Sequence, residues 1–78
     1  MYSNEIIAQG WEIVRTDGAD TIFKAANKFF AMCRWGEEFH IYQAIKEPCA
    51  GDYFQFLGNG KVGKSFRTVK AFVENRIA

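Results

Sequence analysis

The chain has one histidine, two cysteines, one proline and no apolar run approaching the roughly 18 residues of a membrane span. Each scarcity removes a class of function. Two cysteines and one histidine cannot assemble the usual four-ligand zinc set. Cys33 and Cys49 form no C-x-x-C pair. Their spacing leaves a disulfide open, but two reduced thiols are the expectation for a cytosolic chain, with Cys33 in FFAMC serving as a small core residue. His40 has no serine or cysteine motif beside it in sequence, so it reads as a half-exposed strand residue and not as a general base. The adjacent Glu37 and Glu38 read as solvated turn carboxylates. No flavin, nicotinamide or pyridoxal signature is present, and no signal-peptide pattern opens the chain. The expectation is a cytoplasmic, non-enzymatic protein without cofactor, metal or membrane partner.

Aromatic residues are what the sequence has in quantity. Eight Phe, two Trp and three Tyr stand in 78 residues, and each can bury about 150 to 250 Å². That density matters, because a chain of this size buries only about 60% of the surface its unfolded form exposes. Charge is nearly balanced at +1 but unevenly placed. Residues 1–60 carry five basic side chains against eight acidic ones, and residues 61–78 carry five basic against Glu74 alone. The last quarter of the chain is a basic pole.

The periodicities predict one α+β domain over residues 1–78: a small antiparallel sheet of about four to six short, hairpin-connected strands packed against a C-terminal α-helix, with a short N-terminal helix. Ser3 can cap a turn or two over Glu5 to Gln9, and Gly10 can end it in the left-handed conformation. WEIVRT alternates as a strand does, and Asp17-Gly18 offers a two-residue turn that sets Arg15 opposite Asp20 and Ile13 opposite Ile22. DTIFKAANKFFAMCRW fits both periods. It is read as two strands about an Asn27-Lys28 turn, with a helix over residues 20–27 as the alternative. A three-residue hairpin, GEE, leads into FHIYQAI, and KEPCAGD is a loop. YFQFL and KVGKSF read as a hairpin about Asn59-Gly60, after which Thr68 caps a helix with Val69, Phe72, Val73 and Ile77 on one stripe.

Within that last hairpin, GNGKVGKS matches the phosphate-loop pattern G-x-x-x-x-G-K-[ST] at Gly58 to Ser65. A phosphate loop works as the first strand-to-helix turn of a parallel sheet whose later strands supply a magnesium-binding acid. Only thirteen residues follow Ser65 here, with no strand to carry that acid. The glycines are explained instead as turn and edge-strand residues, and no nucleotide is expected.

The alternation sorts the strands into two faces. Trp11, Ile13, Ile22, Cys33, Trp35, Phe39 and Ile41 are assigned to the core beneath the helix. Val14, Phe23, Phe30, Met32, Arg34, His40 and Tyr42 fall on the other face, more apolar than a solvated surface. Either the N-terminal turn and the 46–52 loop cover that face, or a partner does. The candidate partner-binding residues are therefore Phe23, Phe30, Met32, Arg34, His40 and Tyr42, with Lys61, Lys64, Arg67 and Lys70 of the basic pole. The leading reading is a protein-binding module, an inhibitor or adaptor such as a phage or plasmid accessory protein that blocks a host enzyme. The alternative is a single-stranded nucleic-acid binder whose aromatics stack on bases while the basic segment tracks phosphates. Titration with ATP or GTP and magnesium, followed by NMR, is expected to give no saturable shifts centred on Gly58 to Ser65. Low-micromolar binding there would overturn this reading of the motif.

Overall fold

The computed structural model describes residues 3–46 and 56–78. Helix α1 (Ser3–Ala8) leads into four strands, β1 (Glu12–Asp17), β2 (Asp20–Ala25), β3 (Lys28–Trp35) and β4 (Glu38–Gln43). A short β5 (Lys61–Gly63) and helix α2 (Phe66–Ile77) complete the fold. The sheet is antiparallel throughout, in the order β1-β2-β3-β4-β5, so chain order is spatial order. α1 ends where Gly10 takes a φ of +85° and anchors itself through the fully buried Ile6. Residues 20–25 are strand, which settles the two-period ambiguity: alternation sends Phe23 and Ala25 into the core, as a helix would not. Residues 47–52 of the predicted 46–52 loop, Cys49 among them, and residues 53–55 of the predicted YFQFL strand lie outside the described residues.

All three hairpin turns differ from the sequence-based expectation. The first loop is Gly18-Ala19, with Asp17 opposite Asp20. A two-residue hairpin turn wants positive φ at its first central position, and Gly18 supplies it at +64°. A bulge at Val14 then shifts the register, so Arg15 faces Ile22 while Ile13 faces Phe23. The second turn is Ala26-Asn27, both at positive φ (49° and 67°), with Ala25 opposite Lys28. The third is the two-residue Gly36-Glu37, which places Trp35 opposite Glu38 and Arg34 opposite Phe39.

The two-residue third turn and the bulge each change parity by one, and a one-residue slip sends a strand's side chains to the other face. β1 and β4 therefore keep the predicted orientation, while β2 and β3 are inverted together. Phe23, Phe30 and Met32 are core, not surface. Cys33 and Trp35 point away from the helix, and Ile22 is buried on that same opposite face.

The core row is aromatic. Trp11 stacks on Phe23 at 5.2 Å between ring centroids, Phe23 on Phe30 at 5.5 Å, and Phe30 meets Phe72 of α2 edge-on at 6.3 Å. The predicted helix stripe holds: Val69, Phe72 and Val73 are buried, and Ile77 packs against them half-buried. The helix starts earlier than expected, because Ser65, not Thr68, takes the N-cap position. Ser65 has extended dihedrals, and the Thr68 N–H already donates to its carbonyl. At the other end, Lys28 Nζ donates to the Arg76 carbonyl, tying the last turn of α2 to the β2–β3 hairpin.

β5 is not the return strand of a hairpin about Asn59-Gly60. It pairs with β4, Lys61 opposite Ile41 and Gly63 opposite Phe39. Upstream, Phe56 bridges Ala44 and the Leu57 N–H donates to the Gln43 carbonyl at 2.8 Å. Residues 57–60 thus stand opposite only Tyr42 and Gln43, an irregular stretch along the β4 edge whose positive φ falls at Gly58. The free edge of β4 offers a continuous row of partners, which outweighs the local turn propensity of Asn-Gly.

Phe72→Ala should cost about 3 to 5 kcal/mol, the usual range for a buried Phe, and a variant melting within a degree or two of the parent would show that Phe72 is not core. Ala26 carries a left-handed strain that glycine does not feel, so Ala26→Gly should stabilise by about 0.5 to 1 kcal/mol. In thermal melts that is a rise of several degrees, about 4 to 8 °C per kcal/mol for a domain of this size. A fall in Tm would place the turn elsewhere.

Candidate functional site

The ten residues singled out from the sequence do not form one patch. Phe23 and Phe30 are 0% exposed and Met32 is 3% exposed, all inside the aromatic core. Arg34 sits exposed at the rim of that face, its guanidinium 5.6 Å from the centre of the Phe39 ring. His40 and Tyr42, half-buried, lie on the opposite face of the sheet, away from α2 and called the open face below for its exposed Trp35, although Ile22, Ala31 and Ala44 on it are buried. Lys61, Lys64, Arg67 and Lys70 are all exposed, on β5, the junction and the first turns of α2. No acidic residue occupies the first turn of α2, and Ser65 makes no side-chain cap bond. Lys64, Arg67 and Lys70 therefore gather at the positive end of the helix dipole without compensation from that turn.

The open face carries the apolar surface that the prediction placed elsewhere. Cross-strand partners share a face, so Cys33, His40 and Val62 form one row, and Ala31 and Tyr42 another. Phe56 stacks on Tyr42 at 4.2 Å between centroids. On the same face as the buried Ile22 and Ala31 stand Trp35 at 70% exposure, Val62 at 48% and Phe56 at 47%. Trp35, Val62 and Phe56 escaped the sequence reading because each depended on a pairing that the wrong turn lengths inverted or replaced. The available signal was Gly36: a glycine directly after Trp35 can open a two-residue turn, which turns Trp35 outward.

His40 Nε2 lies 3.8 Å from Glu38 Oε1. Burial, then the neighbouring Asp20 carboxylate, raise the Cys33 thiol above its ordinary value, so it stays protonated and weakly nucleophilic at neutral pH. Among the described residues no group of three or more His, Cys, Asp or Glu is placed to hold a metal ion, and no helix is long and apolar enough to cross a membrane.

A second feature lies on the helix side. A groove of about 570 Å³ runs between the Asn59–Lys61 segment and the α2 face that carries Arg67, Ala71 and Asn75. Two glycines of the Gly58 to Ser65 segment, Gly60 and the pattern's Gly63, allow close approaches on either side of the groove. A Cβ at Gly60 would collide with the Tyr42 ring and the Ile41 carbonyl, and one at Gly63 with the Thr68 side chain. These glycines are close-approach positions in an antiparallel edge, a geometry different from a loop wrapped around phosphates after a parallel strand.

Comparison with known proteins gives no match to a family model, a curated protein or a solved structure.

Proposed function

We propose that the protein is a non-catalytic protein-binding module, an inhibitor or adaptor that covers part of a partner's surface with the open face of its sheet. The observation that carries this reading is Trp35, 70% exposed on the sheet face that also bears Val62 and Phe56. Leaving a large ring in water forfeits the free energy its burial would supply. Aromatic residues with an apolar surround are the usual anchors of protein interfaces. His40 and Tyr42 belong to this surface, whereas Phe23, Phe30 and Met32 support it from behind.

The distribution of charge favours a protein over a single strand of nucleic acid. Single-strand binders set stacking rings and phosphate-tracking cations along one path. Here the exposed rings lie on the open face, where Arg15 and Lys24 are mixed with Glu12, Asp20 and Glu38. Lys61 and Arg67 lie instead along the groove beside α2.

The test is a pull-down from lysate of the source cell with parent, Trp35→Ala and the charge reversal of Lys64 and Arg67 to Glu. Trp35→Ala should melt with the parent, because the ring is exposed. It should weaken the specific partner by about 30-fold or more, the signature of an anchor worth about 2 kcal/mol. A partner retained equally by Trp35→Ala would remove the open face from the interaction. Oligonucleotide binding with a steep salt dependence, lost on reversal of Lys64 and Arg67, would favour the nucleic-acid reading.

A further inference from the structure

We infer that the groove between β5 and α2 is a separate binding site for an extended acidic peptide segment. Its cations come from both walls, Lys61 from the strand side and Arg67 and Arg76 from the helix. Among the described residues the lining includes no carboxylate, and none of these three cations forms an ion pair. Three like charges held along one concavity repel one another, and an anionic occupant relieves that repulsion. The groove is therefore complementary to negative charge distributed along a chain.

Shape selects the kind of anion. Arg67 and Arg76 lie nine positions apart on one helix, about 13.5 Å at 1.5 Å per residue. That span suits about four residues of extended peptide at roughly 3.3 Å each. Arg76 is held ready, its guanidinium carbon 3.6 Å from the centre of the Phe72 ring. The small Ala71 keeps the middle of the groove open, and the Asn59 and Asn75 amides can pair with peptide N–H and C=O groups. β5 ends the sheet, and an extended peptide lying between a sheet edge and a helix is an established mode of recognition.

A nucleic-acid strand fits less well, since the groove presents no free ring for base stacking. Phe72 is only 6% exposed and is covered by Arg76. The site is on the other layer of the molecule from Trp35 and stands independently of the open-face reading.

The experiment is a titration of the full chain with fluorescent peptides of about eight residues, enough to overfill the span at about 3.3 Å per residue. One peptide alternates Asp and Glu with Gly, and a control carries Asn and Gln in their place. Anisotropy is followed alongside amide shift mapping. The acidic peptide should bind saturably and shift residues 59–61, 67–68 and 75–76. Arg67→Gln with Lys61→Gln should weaken it about tenfold or more, and Ala71→Leu, which fills the groove without changing charge, should do the same. Trp35→Ala should leave it unchanged. Ala71 is exposed, so its replacement should fold, and melts of each variant verify this. Equal binding of the neutral peptide, an indifferent Ala71→Leu, or tighter capture of a single-stranded oligonucleotide of matching length would each overturn the proposal.

Discussion

The row Trp11, Phe23, Phe30 and Phe72 is the contact on which the other features depend. It links β2, β3 and the residue just ahead of β1 to the helix through rings 5.2 to 6.3 Å apart, within the range where aromatic pairs add to simple area burial. With Phe23 and Phe30 pointing toward α2, alternation leaves Ile22, Ala31, Cys33 and Trp35 on the far side. The exposed tryptophan is therefore a geometric consequence of which rings the helix covers. A β-strand cannot place neighbouring residues on the same face without a bulge, and the one bulge in the meander, at Val14, lets Ile13 join Phe23 on the helix side.

Element type and order were readable from the residues, and the assignment of faces was not. The C-terminal stripe, the N-terminal turn, the four-strand meander and the architecture all followed from periodicity and turn composition. What failed was counting at the turns. The misplaced loops at Asp17-Gly18-Ala19 and Ala25-Ala26-Asn27-Lys28 shift the register by two and leave the faces unchanged, whereas Gly36-Glu37 taken as a three-residue loop, and the Val14 bulge for which the sequence contains no mark, each shift it by one. Each error is one or two residues along the chain, yet an odd shift inverts a strand, so Phe23, Phe30 and Met32 were exchanged for Ile22, Cys33 and Trp35. The core composition settles the choice in three dimensions, because the observed register brings two phenylalanines and a methionine under the helix where the alternative would place one isoleucine, a cysteine and a tryptophan. At residues 56–63 the turn propensity of Asn-Gly was overruled by pairing with the edge of β4.

The two candidate surfaces use different physical resources. The open face has apolar area, rings and mixed charge, which suit a broad contact with another folded protein. The groove has like charge and side-chain amides drawn from both of its walls, which suit an extended chain that carries negative charge. Both depend on the segment from Phe56 to Ser65. Phe56 stacks on the open-face Tyr42, while Asn59 to Lys61 form a wall of the groove and Gly60 lets the backbone pass directly over Tyr42.

The strand order has a consequence for biosynthesis. Since strands pair with their neighbours in sequence, β1 to β4 can assemble hairpin by hairpin as they leave the ribosome, with short loops to close. α2 follows every strand in the chain and covers Phe30, Ile41 and their neighbours only after its own residues have emerged. Until then the nascent sheet carries its most apolar face uncovered, at the stage when partly built β-structure is most prone to associate with other chains. The helix that closes this face is therefore the last element to become available to it.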